Sequence, residues 1–190
     1  QSPLGDHQTA HPAHGGLTPL GAEVVRECQR LGLVVDLAHG TPSLVDGVLD
    51  TCDAVPLWSH SWISAQGGQH TSPGWMARSL SPAAARKIAA RGGAVGLWSV
   101  RVLDLSYPLK GVPSYADEII RMCDLIGPEH VAFGTDMEGA GSGPVLSNYR
   151  DLREVANLLV QRGMKESEIA SVLIGNYARI LKLAMNGAKA

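Results

Sequence analysis

Short apolar runs alternate with longer stretches of helical spacing along this chain, and the alternation predicts a βα repeat. Leu20, Val24, Val25, Cys28 and Leu31 recur at helical intervals after Thr18-Pro19, so they predict a helix with its apolar stripe inward, capped by Thr18 and closed by Gly32. The run Leu33–His39 then reads as a buried parallel strand, being short, largely apolar and bounded by turn signals. Thr41-Pro42-Ser43 opens a second helix through about Leu49, and Ala54–His60 is the next strand. Ser81-Pro82 starts a helix that runs to Arg91, where Gly92-Gly93 stops it, and Ala94–Trp98 is a strand whose polarity changes at Ser99. A helix over Ser114 to about Ile126 precedes a last strand, His130–Asp136, and two or three helices follow through Lys182.

Four strands, each followed by helix, need cover on both sheet faces, which places the chain in the α/β class. Three stretches lack periodicity. Residues 1–16 read as loop, and residues 61–78 and 137–147 read as long loops on the rim where the strands end. No strand end carries GxGxxG or GxxxxGK, so a phosphate-binding open sheet is disfavoured. Four βα units are half of an eight-stranded (β/α)8 barrel, and 190 residues are somewhat few for a complete one. The chain is read as one domain over 1–190, with the Gly175-Asn176-Tyr177-Ala178-Arg179 helix as a closing element and the N-terminal side as the missing one.

Charge and composition narrow the partners. A formal net charge of -2 gives no electrostatic footprint for nucleic acid or an anionic membrane surface. No apolar run approaches the roughly 20 residues that span a bilayer. Cys28, Cys52 and Cys123 are odd in number and widely spaced, so they read as buried free thiols; that fits a reducing compartment such as the cytoplasm, although periplasmic proteins can look the same.

The candidate chemistry lies where strands end, as it does in βα architectures. His39 and His60 close equivalent runs, so two imidazoles converge on one rim, where neutral histidine nitrogens can ligate a metal; Asp136 brings a carboxylate to the same rim. His7, His11 and His14 lie in irregular sequence and read as solvated, His70 is a candidate pocket residue, and His130 starts a strand away from the rim. Trp58 and Trp98 read as core, whereas Trp62 and Trp75 sit in the rim loop, within reach of a ligand.

Six ordered segments resemble the renal, or membrane, dipeptidase family: Gly16–Gly21, Asp36–His39, Ser59–Ser61, Arg78–Ser81, Phe133–Gly139 and Gly175–Arg179. The resemblance runs from Ser2 to the last helix. It implies a zinc-dependent TIM-barrel hydrolase of the amidohydrolase superfamily that cleaves dipeptides, often tolerating a D-residue at the C-terminal position. By the same resemblance His39 and His60 are ligands of one zinc, Asp136 is the aspartate that orients the attacking water and takes its proton, and Arg78 holds the substrate's C-terminal carboxylate. Family sequences typically read Asp-Phe-Asp-Gly where this chain has Asp136-Met137-Glu138-Gly139, and Arg-Asn where it has Arg78-Ser79. The family's other zinc is held by a His-x-Asp pair on the first strand, with a glutamate bridging both metals, and neither is in this sequence. The chain is therefore expected to need an N-terminal half, a partner chain or a second copy of itself. The alternatives are a related amide or lactam hydrolase on the same barrel, and a non-catalytic half-barrel acting in binding or assembly.

Overall fold

The computed structural model describes residues 2–65, 67, 76–100, 109–139 and 143–187. Three of its helices begin on one local device. Thr18, Thr41 and Ser81 each hold extended backbone and accept a main-chain N–H three residues on, with proline at the first helical position. These caps open α1 (Pro19–Leu31), α2 (Pro42–Thr51) and α3 (Pro82–Ala90), all close to where the sequence predicts them. Gly32, at φ 73°, ends α1 in the left-handed conformation that glycine adopts without a Cβ penalty. The remaining helices are α4 (Val112–Ile126), α5 (Tyr149–Gln161), α6 (Glu166–Ala170) and α7 (Asn176–Asn186), with a π-helical turn, Ser171–Gly175, joining the last two. No helix among the described residues is long and apolar enough to cross a membrane.

The sheet is parallel, with β1 (Leu57–Ser61), β2 (Ala94–Leu97) and β3 (Val131–Phe133) side by side in chain order. Alternate residues face opposite ways, as the pleat requires. Trp58, Val95, Leu97, Val131 and Phe133 join the main core with Val45, Ile88, Ile119, Met122 and Leu159 from α2 to α5. Leu57 and Ala94 instead meet Ile180 of α7, with Val34, Val55 and Tyr177 around them. The register shifts between Trp58 and Ser61, so β1 is irregular where it reaches His60.

The expected first strand, Leu33–His39, is only partly a strand. Asp36 forms a single parallel bridge to Leu57, with Leu57 N–H donating to the Val35 carbonyl and Leu37 N–H to that of Leu57. Among the described residues nothing pairs with its other side, and Leu33 is 52% exposed; Leu37 alone is fully buried. The stripe expected of α1 is likewise corrected. Val25 is buried, but Leu20, Val24 and Leu31 are exposed, because no described element covers that face. The three cysteines are free, as expected, but half-buried; burial, the largest cause, pushes the Cys123 thiol up to about 12.

Two of the stretches read as loop carry regular structure. Residue 61 belongs to β1, Ile63 bridges Leu80, and Met76–Arg78 form a 3-10 turn. Near the N-terminus, Asp6 is buried and its carboxylate accepts the main-chain N–H groups of Ala13, His14 and Gly16. Those donors, Ala13 first, hold the Asp6 carboxyl below its ordinary value. Residues around Asp6 bridge to Leu17 and Gly40, so the segment is fitted against the chain that carries His39.

The Gly175–Arg179 motif braces the sheet where β2 and β3 begin. Buried Asn176 donates to the carbonyls of Pro128 and Val131, at 2.8 and 2.7 Å, and Arg179 donates to those of Gly92 and Glu129, beside the starts of β2 and β3. Tyr177 O–H donates to the Ser59 carbonyl at 2.9 Å. That carbonyl also lies so close to Gly96 and Gly134 that a Cβ at either would collide with it, which is why both positions are glycine.

Candidate metal centre

His39 and Asp136 are the two non-glycine residues with positive φ among the described residues, at 67° and 48°. Such backbone costs on the order of 1 kcal/mol or more and persists where the surroundings over-determine it. Both residues were candidates from their place in the sequence. His39 is held through its carbonyl, which accepts the Gln8 N–H at 2.8 Å. Asp36 ties the neighbouring chain ends together, its Oδ1 accepting from both Ala38 N–H and Ser59 N–H at 3.0 Å. At the far side, Ser99 Oγ donates to the Thr135 carbonyl at 2.6 Å and fixes the residue before Asp136.

The side chains of His39, His60 and Asp136 come together. The Nε2 atoms of His39 and His60 are 2.9 Å apart, and Asp136 Oδ2 is 3.9 Å from His60 Nε2. Ser59 Oγ lies 2.7 Å from His60 Nδ1, a contact that occupies the ring nitrogen pointing away from His39. Burial, then the positive charges available at His60 and Arg78, lower the His39 pKa, while Asp136 and Asp36 pull the other way; the net effect favours the neutral ring. Neutral imidazole is the form that ligates metal.

Arg78 ends the 3-10 turn, with its carbonyl accepting from Ser61 Oγ at 2.8 Å. Its guanidinium lies over the Trp98 ring, 5.6 Å from the centroid, and Trp98 Nε1–H donates to Asp136 Oδ2 at 3.0 Å. Arg78 is thus joined to the histidine and aspartate cluster through Trp98.

Trp98 reads as core from sequence, and it is buried; its place at a strand end, level with His39 and His60, is the sequence signal for a further role. Asp36 and Ser59 were missed as well, and the carboxylate inside an otherwise apolar run was the legible clue to the first. Trp62, expected at the rim within reach of a ligand, is 2% exposed and stacks on Trp98 at 6.2 Å. His130 stands at the opposite end of β3 with Nδ1 on the Gly93 carbonyl, as expected. His11 and His14 are exposed, and His7 contacts Thr9 Oγ1. His70 and Trp75 lie outside the described residues.

The chain matches the family described as membrane dipeptidase, peptidase family M19, over residues 2–190. It belongs to that family. Dipeptidase 3 of Rattus norvegicus is 31% identical over 173 residues, covering 88% of this chain and 33% of that protein. Among solved structures, the probable dipeptidase PvdM from Pseudomonas aeruginosa superposes with a TM-score of 0.80 at 20% identity, covering 97% of this chain and 60% of its own. A metallo peptidase from Rhodobacter sphaeroides, liganded with a phosphinate mimic of the dipeptide L-Ala-D-Ala, gives 0.75 at 22%, over 94% and 49%. The chain spans about a third of the length of the rat relative.

Membership of this TIM-barrel-type metallopeptidase family implies a metal, typically zinc. The donors present suit it in part. Two nitrogens bound tetrahedrally to one zinc at about 2.0–2.1 Å would stand about 3.3 Å apart, so the pair at 2.9 Å needs only a small opening. Among the described residues no group of three or more His, Cys, Asp or Glu side chains is placed to hold a metal ion. The imidazole pair therefore forms an incomplete donor set.

Proposed function

We propose that this chain forms the C-terminal four βα units of a (β/α)8 zinc dipeptidase and carries one zinc's histidine ligands, the general base and the substrate carboxylate clamp. The observation that carries the reading is the convergence of His39 and His60 Nε2 at 2.9 Å, with Asp136 beside them, in a chain of the membrane dipeptidase family. His39 and His60 would hold the metal, which when bound lowers the pKa of water and polarises the scissile carbonyl.

Asp136 takes the proton from the attacking water and returns it to the amine nitrogen as the C–N bond breaks. Arg78 grips the free carboxylate of the C-terminal residue through its planar fork, which limits substrates to those with a carboxylate one residue beyond the cleaved bond. The L-Ala-D-Ala mimic bound by the Rhodobacter sphaeroides relative supports a small dipeptide with a C-terminal D-residue as substrate.

A catalytic zinc commonly takes three protein ligands and keeps one position open. The further donors, a His-x-Asp pair and a bridging glutamate in the family resemblance, are assigned to an N-terminal barrel half, in a preceding stretch of chain or in a partner. The test is zinc content and native mass of the complete protein, with hydrolysis of Ala-D-Ala followed in parallel. Two zinc ions per barrel, with one lost in both His39→Ala and His60→Ala, is the expected result. Unchanged zinc content in both variants overturns the assignment.

A further inference from the structure

Trp98 touches three of the proposed functional residues: its ring lies 5.7 Å from that of His60, and it also contacts Asp136 and Arg78, two contacts that do not follow from its role in the core. Its indole N–H, a donor with no acceptor capacity, reaches Asp136 Oδ2 at 3.0 Å, the carboxylate oxygen that also lies 3.9 Å from His60 Nε2. Its ring face lies under the Arg78 guanidinium at 5.6 Å, within cation–π range. The ring cannot easily move: Trp98 is 2% exposed, Trp62 stacks on it with planes 21° apart, and its own N–H accounts for the polar edge. The next residue, Ser99, holds Thr135 through its hydroxyl, so the end of β2 grips both the backbone before Asp136 and its side chain.

We propose that Trp98 is a positioning residue that sets the Asp136 carboxylate and the Arg78 guanidinium at a fixed separation, so that the base and the carboxylate clamp address the two ends of one small substrate. The inference rests on the dipeptidase reading and extends it to a residue outside the metal ligands. Asp136 holds a left-handed backbone conformation at φ 48°, and a carboxylate on such a turn has no helix or strand to aim it. The indole N–H supplies that aim. Arg78 ends a three-residue turn and has a long, rotatable stem, which the flat indole face restrains.

The two contacts can be separated by substitution. Trp98→Phe keeps an aromatic face for Arg78 and removes the N–H; Trp98→Leu removes both. In the complete zinc-loaded protein, Trp98→Phe is expected to lower kcat about tenfold with KM nearly unchanged. Trp98→Leu is expected to add a rise in KM of about threefold. A purely structural role would move both parameters alike in both variants.

A second measurement leaves Trp98 in place and needs no activity. In protein labelled with 15N-tryptophan, the Trp98 indole N–H resonance is expected to shift in Asp136→Asn, while the Trp58 indole, which donates to the His60 carbonyl, stays. Wild-type protein that cleaves no dipeptide defeats the dipeptidase reading, whereas an unmoved Trp98 resonance defeats the positioning role by itself. Loss of kcat in Trp98→Phe together with an unmoved resonance in Asp136→Asn also overturns it, because the effect would not pass through the carboxylate.

Discussion

A buried carboxylate decides the shape of the first loop. Asp6 collects three main-chain N–H groups that would otherwise be unpaired inside the turn. Because its carboxyl sits below the ordinary value in the folded chain, its stabilisation is present above the unfolded value near pH 4 and is lost as the pH falls through the lower folded value. Unfolding measured against pH in wild type and Asp6→Asn should show the variant less stable at neutral pH, with the gap closing in acid; a constant gap would sink the assignment. Arg78 offers the other residue-scale prediction. In the complete enzyme, Arg78→Ala should raise KM for a dipeptide by about tenfold to a hundredfold, as expected for lost charge-assisted hydrogen bonds. A dipeptide amide, lacking the carboxylate, should show little change, and equal losses on both substrates would refute the clamp.

At the scale of elements, the site depends on helices that begin where its residues end. Thr41 follows His39-Gly40 directly, is 2% exposed, and caps α2 through Leu44 N–H. Its own N–H donates to the Asp6 carbonyl, so one residue joins the loop, the histidine segment and the helix. Thr41→Ala is expected to cost about 1 kcal/mol. In urea the midpoint should fall with the slope unchanged, and an unaltered midpoint would show the cap to be dispensable. These starts were legible because a Thr-Pro or Ser-Pro pair is a local signal that acts through hydrogen bonds within one turn. The strand before His39 is less legible: Leu33–Leu37 has the composition of a buried strand, but among the described residues it pairs on one side only.

For the whole molecule, the uncovered apolar surface is the main feature. Leu33, close in the chain to the bridge at Asp36, is exposed, and so are Leu20 and Leu31 of α1. Val34, Leu57, Ile174, Tyr177 and Leu181 line an apolar groove nearby, where Ile174 and Leu181 are 70% and 52% exposed. Unpaired strand edges and contiguous apolar patches favour association. The 190-residue chain by itself is therefore expected to self-associate in sedimentation experiments, and Leu33→Glu with Leu181→Glu should shift it towards monomer. A wild-type chain that sediments as a monomer at high concentration would contradict this.

Sequence by itself determined the features that depend on near neighbours. The capped helix starts, the order of strands and helices, and the placement of His39, His60 and Asp136 at strand ends all follow from patterns within a few residues. The family resemblance added Arg78. Tertiary structure decided what depends on residues far apart in the chain. It brought His39 and His60 to 2.9 Å across 21 residues, set Trp98 between Asp136 and Arg78, and buried Trp62, which reads as rim from sequence. It also left the α1 stripe exposed, although its spacing is that of a core-facing helix. Periodicity records which face of an element is apolar, whereas burial requires a second surface to meet it, and that surface is set by the assembled chain.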